Sequence, residues 1–325
     1  MNSFGRIFRI SIFGESHGDA LGIIIDGVPS GIPIAVSDFM ADIERRRSGK
    51  VGTTPRIEAD EPELISGCFN GFTTGAPLTI LFRNTNTQSG DYANLAKTPR
   101  PGHADFVAHK RFGGYNDYRG GGHFSGRLTL ALVAAGVVAK KIVKPISIEA
   151  KVILVGGKSN VDEVVAQALE RGDSVGGLVE CRATGIPIGL GEPFFDSIES
   201  VISHLAFAIP AIKGIEFGSG FAAATMHGST HNDSILDDEG HTATNNAGGI
   251  TGGLTNGNEL VFRVAVKPTS SISIKQKTYS IATEQMEELE VKGRHDACIA
   301  LRVPVVLEAI TAIALADFTA IAQVY

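Results

Sequence analysis

Two stretches of this chain carry almost no polar side chains, and a helix that is apolar on every side has to be buried on every side. Residues 128–143 read LTLALVAAGVVAKKIV, a helix ending on Lys140-Lys141 and stopped by Pro145. Residues 304–324 form a second apolar helix. The uncharged part of the first, Leu128 to Ala139, is shorter than the roughly 18 residues a membrane span requires. Protein must therefore cover it. The fold has helices inside and other elements laid around them.

Those other elements read as strands. Ile7–Phe13 alternates, turns over Gly14–Ala20 and returns as Leu21–Asp26, closed by Gly27-Val28-Pro29. Further short strands are expected at 149–155, 176–183, 214–218 and 258–266. Ser37-Asp38 opens a helix that runs to Arg45-Arg46-Arg47, with cations in the last turn where the helix dipole favours them. Asn160 with Glu163, and Asp196 with Glu199, have capping-box spacing and predict two more helix starts. A Gly-x-Pro turn followed by a helix occurs at 27–29 and again at 185–187, which suggests duplicated β-α-β units. The expected class is α+β, with antiparallel strands layered on buried helices. Length alone would allow about two domains of roughly 150 residues each. No Ser/Pro/Gly-rich tract or charge block divides the chain, so a single domain over residues 1–325 is expected.

Composition narrows the partners. Apolar residues make up 43% and charged residues 20%, as in a folded chain with ample core. Lys and Arg number 29 against 35 Asp and Glu, a net charge of −6, so neither nucleic acid nor an anionic membrane is an expected partner. Positive charge for an anionic ligand must be local. Cys68, Cys181 and Cys298 form no CxxC pair, which excludes a disulfide framework and a cysteine zinc site and fits a reducing cytoplasm. The N-terminal residues show no signal-peptide pattern. Glycine is high, 39 of 325 residues against an average near ~7%. Seven of these glycines fall in residues 84–122, a polar stretch too long for an idle loop.

Several motifs carry chemistry. Gly14-Glu15-Ser16-His17-Gly18 matches the serine-hydrolase elbow G-x-S-x-G. That elbow needs a strand–turn–helix context, and here a strand follows; a glycine-rich hairpin turn accounts for the glycines but not for a Ser-His pair at the tip. Gly218-Ser219-Gly220-Phe221-Ala222-Ala223 with Asp238 resembles a dinucleotide fingerprint, but the segment between cannot form the required helix and strand. His227, His231, Asp233 and His241 lack any spacing that fixes a metal geometry, so no metal is expected. Arg45–Arg47 could be a solvated helix end. Arg100-Pro101-Gly102-His103-Ala104-Asp105, Arg119 to Arg127, Lys267-Pro268-Thr269-Ser270-Ser271 and Arg294-His295-Asp296 are further cationic or acid–base segments in loops. Glycines before the helix at 128 let a ligand approach the backbone at a helix N-terminus, where anions bind. Together they point to a pocket for a polyanionic small molecule.

These segments, from about Phe4 to Asp317, resemble the chorismate synthase family. The resemblance rests on Phe13–Gly18, Arg100–Asp105, Asp117–Gly122, Asn246–Ile250, Lys267–Ser271 and Gly293–Asp296, in that order. It implies a carbon–oxygen lyase acting on a phosphate ester: loss of phosphate from C3 and hydrogen from C6 of 5-enolpyruvylshikimate 3-phosphate gives chorismate, the last step of the shikimate pathway. It also implies reduced FMN as cofactor, a layered β-α-β sandwich with central helices between antiparallel sheets, and a homotetramer. By resemblance His17 protonates the departing phosphate or keeps its charge neutralised, His103 stabilises the reduced flavin by proton donation, and Asp296 with Ser16 assists proton removal from it. Arg46, Ser125, Arg127 and Arg294 match substrate-binding positions. His123, Phe124, Ser125, Gly252, Lys267, Pro268, Thr269, Ser270, Ser271 and Arg294 match FMN-binding ones. No nicotinamide motif is visible, so reducing equivalents, from NADPH or otherwise, are expected from an external reductant. Where many members read Gly-Arg-Ser-Ser-Ala-Arg, this chain reads Gly122-His-Phe-Ser-Gly-Arg127, and Gly52 stands where a basic residue is common.

Overall fold

Strict alternation builds the first sheet. In a computed structural model describing residues 2–54, 56, 58–87, 94–291 and 295–323, Leu21, Ile23 and Ile25 are wholly buried while Ile24 between them faces outward. They belong to β3 (Ala20–Asp26), which follows β1 (Ser3–Phe4) and β2 (Arg9–Gly14). With β4 (Glu63–Ser66) and β5 (Leu78–Arg83) they make an antiparallel sheet in the order β1-β2-β3-β5-β4. The register sets Leu21, Ile23 and Ile25 beside Phe82, Ile80 and Leu78, so one continuous apolar face results. The second sheet contains β6 (Ser147–Val155), β7 (Gly177–Thr184), β8 (Ile212–Phe217) and β9 (Leu260–Val266), in the order β8-β9-β7-β6. Val179, Cys181 and Ala183 pair with Val264, Phe262 and Leu260, all buried.

Helices lie between the sheets and around them. They are α1 (Ser37–Arg46), α2 (Asp105–Arg111), α3 (Thr129–Ile142), α4 (Val161–Glu170), α5 (Ile198–Ala208) and α6 (Pro304–Ala322). Helix α3 packs under β3, α6 packs on β6 and β7, and the two helices cross face to face. Gly136 permits the crossing, since a Cβ there would lie 2.3 Å from Ala309 Cβ. Helix α6 is long and apolar enough to cross a membrane, yet 83% of its apolar window is buried within the protein. Its two acids are accounted for. Glu308 accepts from Arg45 (2.5 and 2.7 Å), Lys140 (3.0 Å) and the Ala150 amide (3.0 Å). Asp317 accepts from the amides of Arg6, Ile7 and Phe8 at 2.8–3.1 Å.

The helix starts differ slightly from those expected. Ser197, not Asp196, caps α5, accepting from the Ser200 amide at 3.2 Å. Asn160 precedes α4 but makes no side-chain cap; its amide bonds the Glu163 carboxylate instead.

The repeat is larger than a β-α-β unit. The order β2-β3-β5-β4 in one sheet corresponds to β6-β7-β9-β8 in the other. Gly27-Val28-Pro29 follows β3 and leads to α1, and Gly185-Ile186-Pro187 follows β7 and leads to α5. Each unit ends in a buried helix, α3 or α6, which follows a long connection from the last strand of its sheet. Because α3 and α6 cross, their N-termini bring the two loops to one place.

Candidate active site

A cavity of about 680 Å³ opens where those loops meet, within the size range of small-molecule and cofactor sites. Ser16, Arg46, His103, Arg127, Lys267 and Asp296 all contribute to its lining, as do His123, Phe124, Ser125 and the segment to Ser271. Ser16 and His17 sit at the tip of the β2–β3 hairpin, both buried. This is not the strand–turn–helix context of a hydrolase elbow. Ser16 Oγ lies 3.3 Å from His17 Nδ1, and it also accepts from Arg56.

Consecutive glycines seat the two histidines. Gly120, Gly121 and Gly122 have φ of 58°, 82° and 52°, the left-handed region that side chains disfavour. A Cβ on Gly120 would lie 2.2 Å from His17 Nδ1, and one on Gly121 would lie 3.2 Å from His103 Cε1. His17 is pushed down to about 4 by burial and by the Arg56 and Arg119 charges, so it is neutral at neutral pH. Burial also lowers His103, against the opposing pull of Asp105. His103 Nδ1 is 2.5 Å from Asp105 Oδ1 and 3.0 Å from Arg100 Nη2. Burial alone would raise Asp105, but hydrogen bonds from Arg100 and His103 hold it below the usual carboxylate range.

The cations fall into two groups. Arg100 is consumed internally: it grips Asp105 at 2.7 and 2.8 Å and donates to Ser271 Oγ at 2.9 Å, tying one loop to the other. Lys267 Nζ reaches Gly102 O (3.0 Å) and Ser270 Oγ (2.8 Å) across the same seam. Arg46 is 2% exposed and donates to Thr129 Oγ1 and to the Gly126 and Arg127 carbonyls, each at 3.0 Å, so it fixes the first turn of α3. Burial and the nearby Arg302 and Arg127 push it down to about 9, still a cation at neutral pH.

Arg127 differs. Nε donates to Asn84 Oδ1 at 2.6 Å and Nη1 to Asp60 Oδ1 at 2.9 Å, while Nη2 is buried without a hydrogen-bond partner. An unsatisfied buried guanidinium nitrogen is costly unless an anion completes it.

The remaining expected residues fall as follows. Asp296 lines the cavity and accepts from the Thr54 amide at 2.9 Å, with Arg302 at 3.3 Å. His123 Nδ1 meets the Gly14 carbonyl at 2.9 Å, Phe124 packs near Phe112, and Ser125 Oγ accepts from the Arg127 amide. Gly252 turns the hairpin between Ile250–Thr251 and Leu254–Thr255 and is not in this cavity's lining. Arg294 lies outside the described residues. Asp233 is occupied by Thr244 and the Asn246 and Ala247 amides, so the nearby histidines find no shared ligand in it. Gly52 could not carry a side chain in place, because a Cβ would lie 2.4 Å from Val165. Sequence reading missed Arg56, Glu58, Asp60, Asn84 and Arg302. Nothing in their spacing marks them; contacts between distant segments, such as Arg127 with Asp60 and Arg302 with the Arg46 carbonyl, bring them to the site.

The chain is similar to known proteins along nearly its whole length. The family model described as chorismate synthase matches residues 8–320. A chorismate synthase of Chitinophaga pinensis is 63% identical over 99% of this chain and 98% of its own length. One from Dehalococcoides mccartyi is 45% identical over 97% of this chain and 96% of its own. A crystal structure titled as chorismate synthase superposes with a TM-score of 0.73 at 27% identity, covering 97% of this chain and 92% of that one.

Proposed function

Because this chain belongs to the chorismate synthase family, a family of carbon–oxygen lyases, we propose that it converts 5-enolpyruvylshikimate 3-phosphate to chorismate and inorganic phosphate with reduced FMN as cofactor, the last step of the shikimate pathway. The observation that carries this reading is the unsatisfied Arg127 Nη2 at a cavity ringed by cations, with His103 in its lining and the neutral His17 just behind Gly120. The residues fit a flavin mononucleotide. Lys267 and the glycine backbone at 120–122 offer a cation and close approach for an anionic, planar ligand. When bound, reduced FMN supplies the electron and hydrogen chemistry that no side chain here offers.

The chain's own residues bind, orient and move protons. Arg127 Nη2 supplies a charge-assisted donor to a substrate phosphate or carboxylate. His17, neutral in the ligand-free site, gains affinity for a proton once a phosphate dianion offsets Arg56 and Arg119. That proton then goes to the phosphate oxygen as the C3–O bond breaks. Asp105 holds His103 through Nδ1, so Nε2 is the nitrogen left to exchange a proton on the cavity side. Asp296, fixed by Thr54 and Arg302, accepts the surplus proton in concert with Ser16.

The same reading makes the protein a homotetramer, by family resemblance, working in the cytoplasm, which its unpaired cysteines fit, and supplied by an external reductant, since the sequence has no visible nicotinamide motif. Phe194, Phe195 and Phe221, at 88%, 91% and 82% exposed, support an association surface. The test is turnover of variants, followed by phosphate release with reduced FMN. His17→Ala and His103→Ala should each lower kcat by roughly 10²- to 10⁴-fold. Arg127→Ala should chiefly raise KM. Full turnover in either histidine variant would remove that residue from its role.

A further inference from the structure

Asn84 is not in the cavity's lining, yet its side chain joins two parts of the site. It follows β5 directly, and its backbone amide donates to Asp19 O at 3.1 Å, one step beyond the Ala20–Arg83 pair of β3 and β5. The residue is therefore seated on the sheet. From there Nδ2 donates to Glu15 O at 3.0 Å and to Gly18 O at 2.7 Å, across the turn that carries Ser16 and His17. On the other side Oδ1 accepts from Arg127 Nε at 2.6 Å.

These partners decide which way the carboxamide points. Carbonyls only accept and a guanidinium only donates. Turned over, the amide oxygen would face two carbonyls and the amide nitrogen would face Nε–H, so all three bonds would be lost. Both tied parts need holding. The turn starts at Gly14, with φ of 92°, and ends on a second glycine, so its backbone is permissive. Arg127 is a planar fork: with Nε held by Asn84 and Nη1 by Asp60, the direction of the unsatisfied Nη2 is set. Arg56 also holds the turn, through Ser16 O at 3.2 Å and Oγ at 3.3 Å, but its remaining side-chain bonds go to Glu58. It grips one part and not the other.

We infer that Asn84 is a positioning residue whose carboxamide sets the Arg127 guanidinium and the Ser16–His17 turn at one fixed separation and orientation. Its importance for turnover rests on the reaction proposed above, in which the anion held by Arg127 and the proton moved by His17 belong to one ligand. The geometric tie does not rest on that reaction.

The experiment has a structural arm and a kinetic arm, both on the full chain. Crystal structures of wild type and Asn84→Ala without ligand should show the Arg127 guanidinium and the Gly14–Gly18 turn each displaced by about 1 Å or more, the scale at which misplacement costs rate, with β3 and β5 unmoved. Either part staying in place overturns the inference. Should Asn84→Ala not fold, Asn84→Asp takes its place, since it keeps the acceptor for Arg127 and loses both donors to the turn. There the turn should move and Arg127 should stay, and any other pattern overturns the inference. In the kinetic arm, with 5-enolpyruvylshikimate 3-phosphate and reduced FMN, the Asn84 variant should lower kcat at least about tenfold. That loss should shrink to less than about threefold in a His17→Ala background, because residues acting as a unit are not additive. Full additivity is the mark of a merely structural residue, and would overturn the inference whatever the crystals show. Absence of turnover in wild type would sink the proposed reaction instead, and the structural arm alone would then decide the tie.

Discussion

Gly120 and Gly121 are adjacent in the chain, and their missing side chains leave room for two histidines that lie more than eighty residues apart. At this scale geometry leaves little slack. Gly120→Ala would set a Cβ 2.2 Å from His17 Nδ1 at a φ of 58°. Either the ring or the loop must move, so kcat should fall by about 10²-fold or more while circular dichroism stays native. A variant with wild-type kcat would show that His17 need not occupy this position. The protonation of His17 gives a second expectation. The unfolded chain takes up a proton near the ordinary value of 6.5, whereas the folded site resists until about 4. The stability gained from the neutral ring is therefore full above pH 6.5 and is lost as pH falls toward 4. Urea unfolding of wild type should weaken over that window with a slope that His17→Gln reduces by up to about one proton. Equal slopes in the two proteins would contradict the burial of a neutral His17. Some of these residues were legible in sequence: a Ser-His pair at a hairpin tip and a histidine inside Arg100–Asp105 have no structural reason to sit in glycine-rich loops. Arg100 was legible only as a cation. Its capture by Asp105 depends on local backbone geometry that composition does not reveal. Arg56, Glu58 and Asp60 were illegible because their partners, Ser16, Thr85 and Arg127, come from other segments.

At the scale of elements, the two apolar helices were the most legible part of the chain. A helix without a polar face has one solution, burial, and α3 and α6 adopt it together. Their closeness depends on Gly136, because a Cβ there would meet Ala309 Cα at 2.5 Å as well as its Cβ. Gly136→Ala should thus destabilise by about 1–3 kcal/mol, the usual range for overpacking, although alanine is the better helix former by about 1 kcal/mol. The check is the midpoint of chemical denaturation at unchanged m-value. A stabilised variant would mean that the helices separate freely and that their contact does not set the position of the loops. The strands Glu63–Ser66 and Leu78–Arg83 escaped sequence reading. The first has four residues, and the second, LTILFR, runs three apolar residues together at Ile80-Leu81-Phe82, so its alternation is blurred. The α5 cap was displaced by one residue: Ser197 accepts from the Ser200 amide, where a cap at Asp196 would have taken that of Glu199.

Across the whole molecule, the duplication explains why an acidic protein of net charge −6 carries a cationic cavity. Each unit sends one loop to the N-terminus of its buried helix, and the crossing of those helices joins the loops into one site. The Gly-x-Pro repeats hinted at this. The matching strand orders could not be read from sequence, since the pairing of β5 and β9 with earlier strands is long-range. The family assignment and the cavity make one central claim: the site performs a phosphate elimination that depends on reduced flavin. The most direct test is an anaerobic assay of the purified protein with 5-enolpyruvylshikimate 3-phosphate and FMN, either chemically reduced or left oxidised, following phosphate and chorismate together. Equal amounts of phosphate and chorismate with reduced FMN only, and no net flavin oxidation, is the predicted result. Absence of both products while flavin and substrate are bound would contradict the claim.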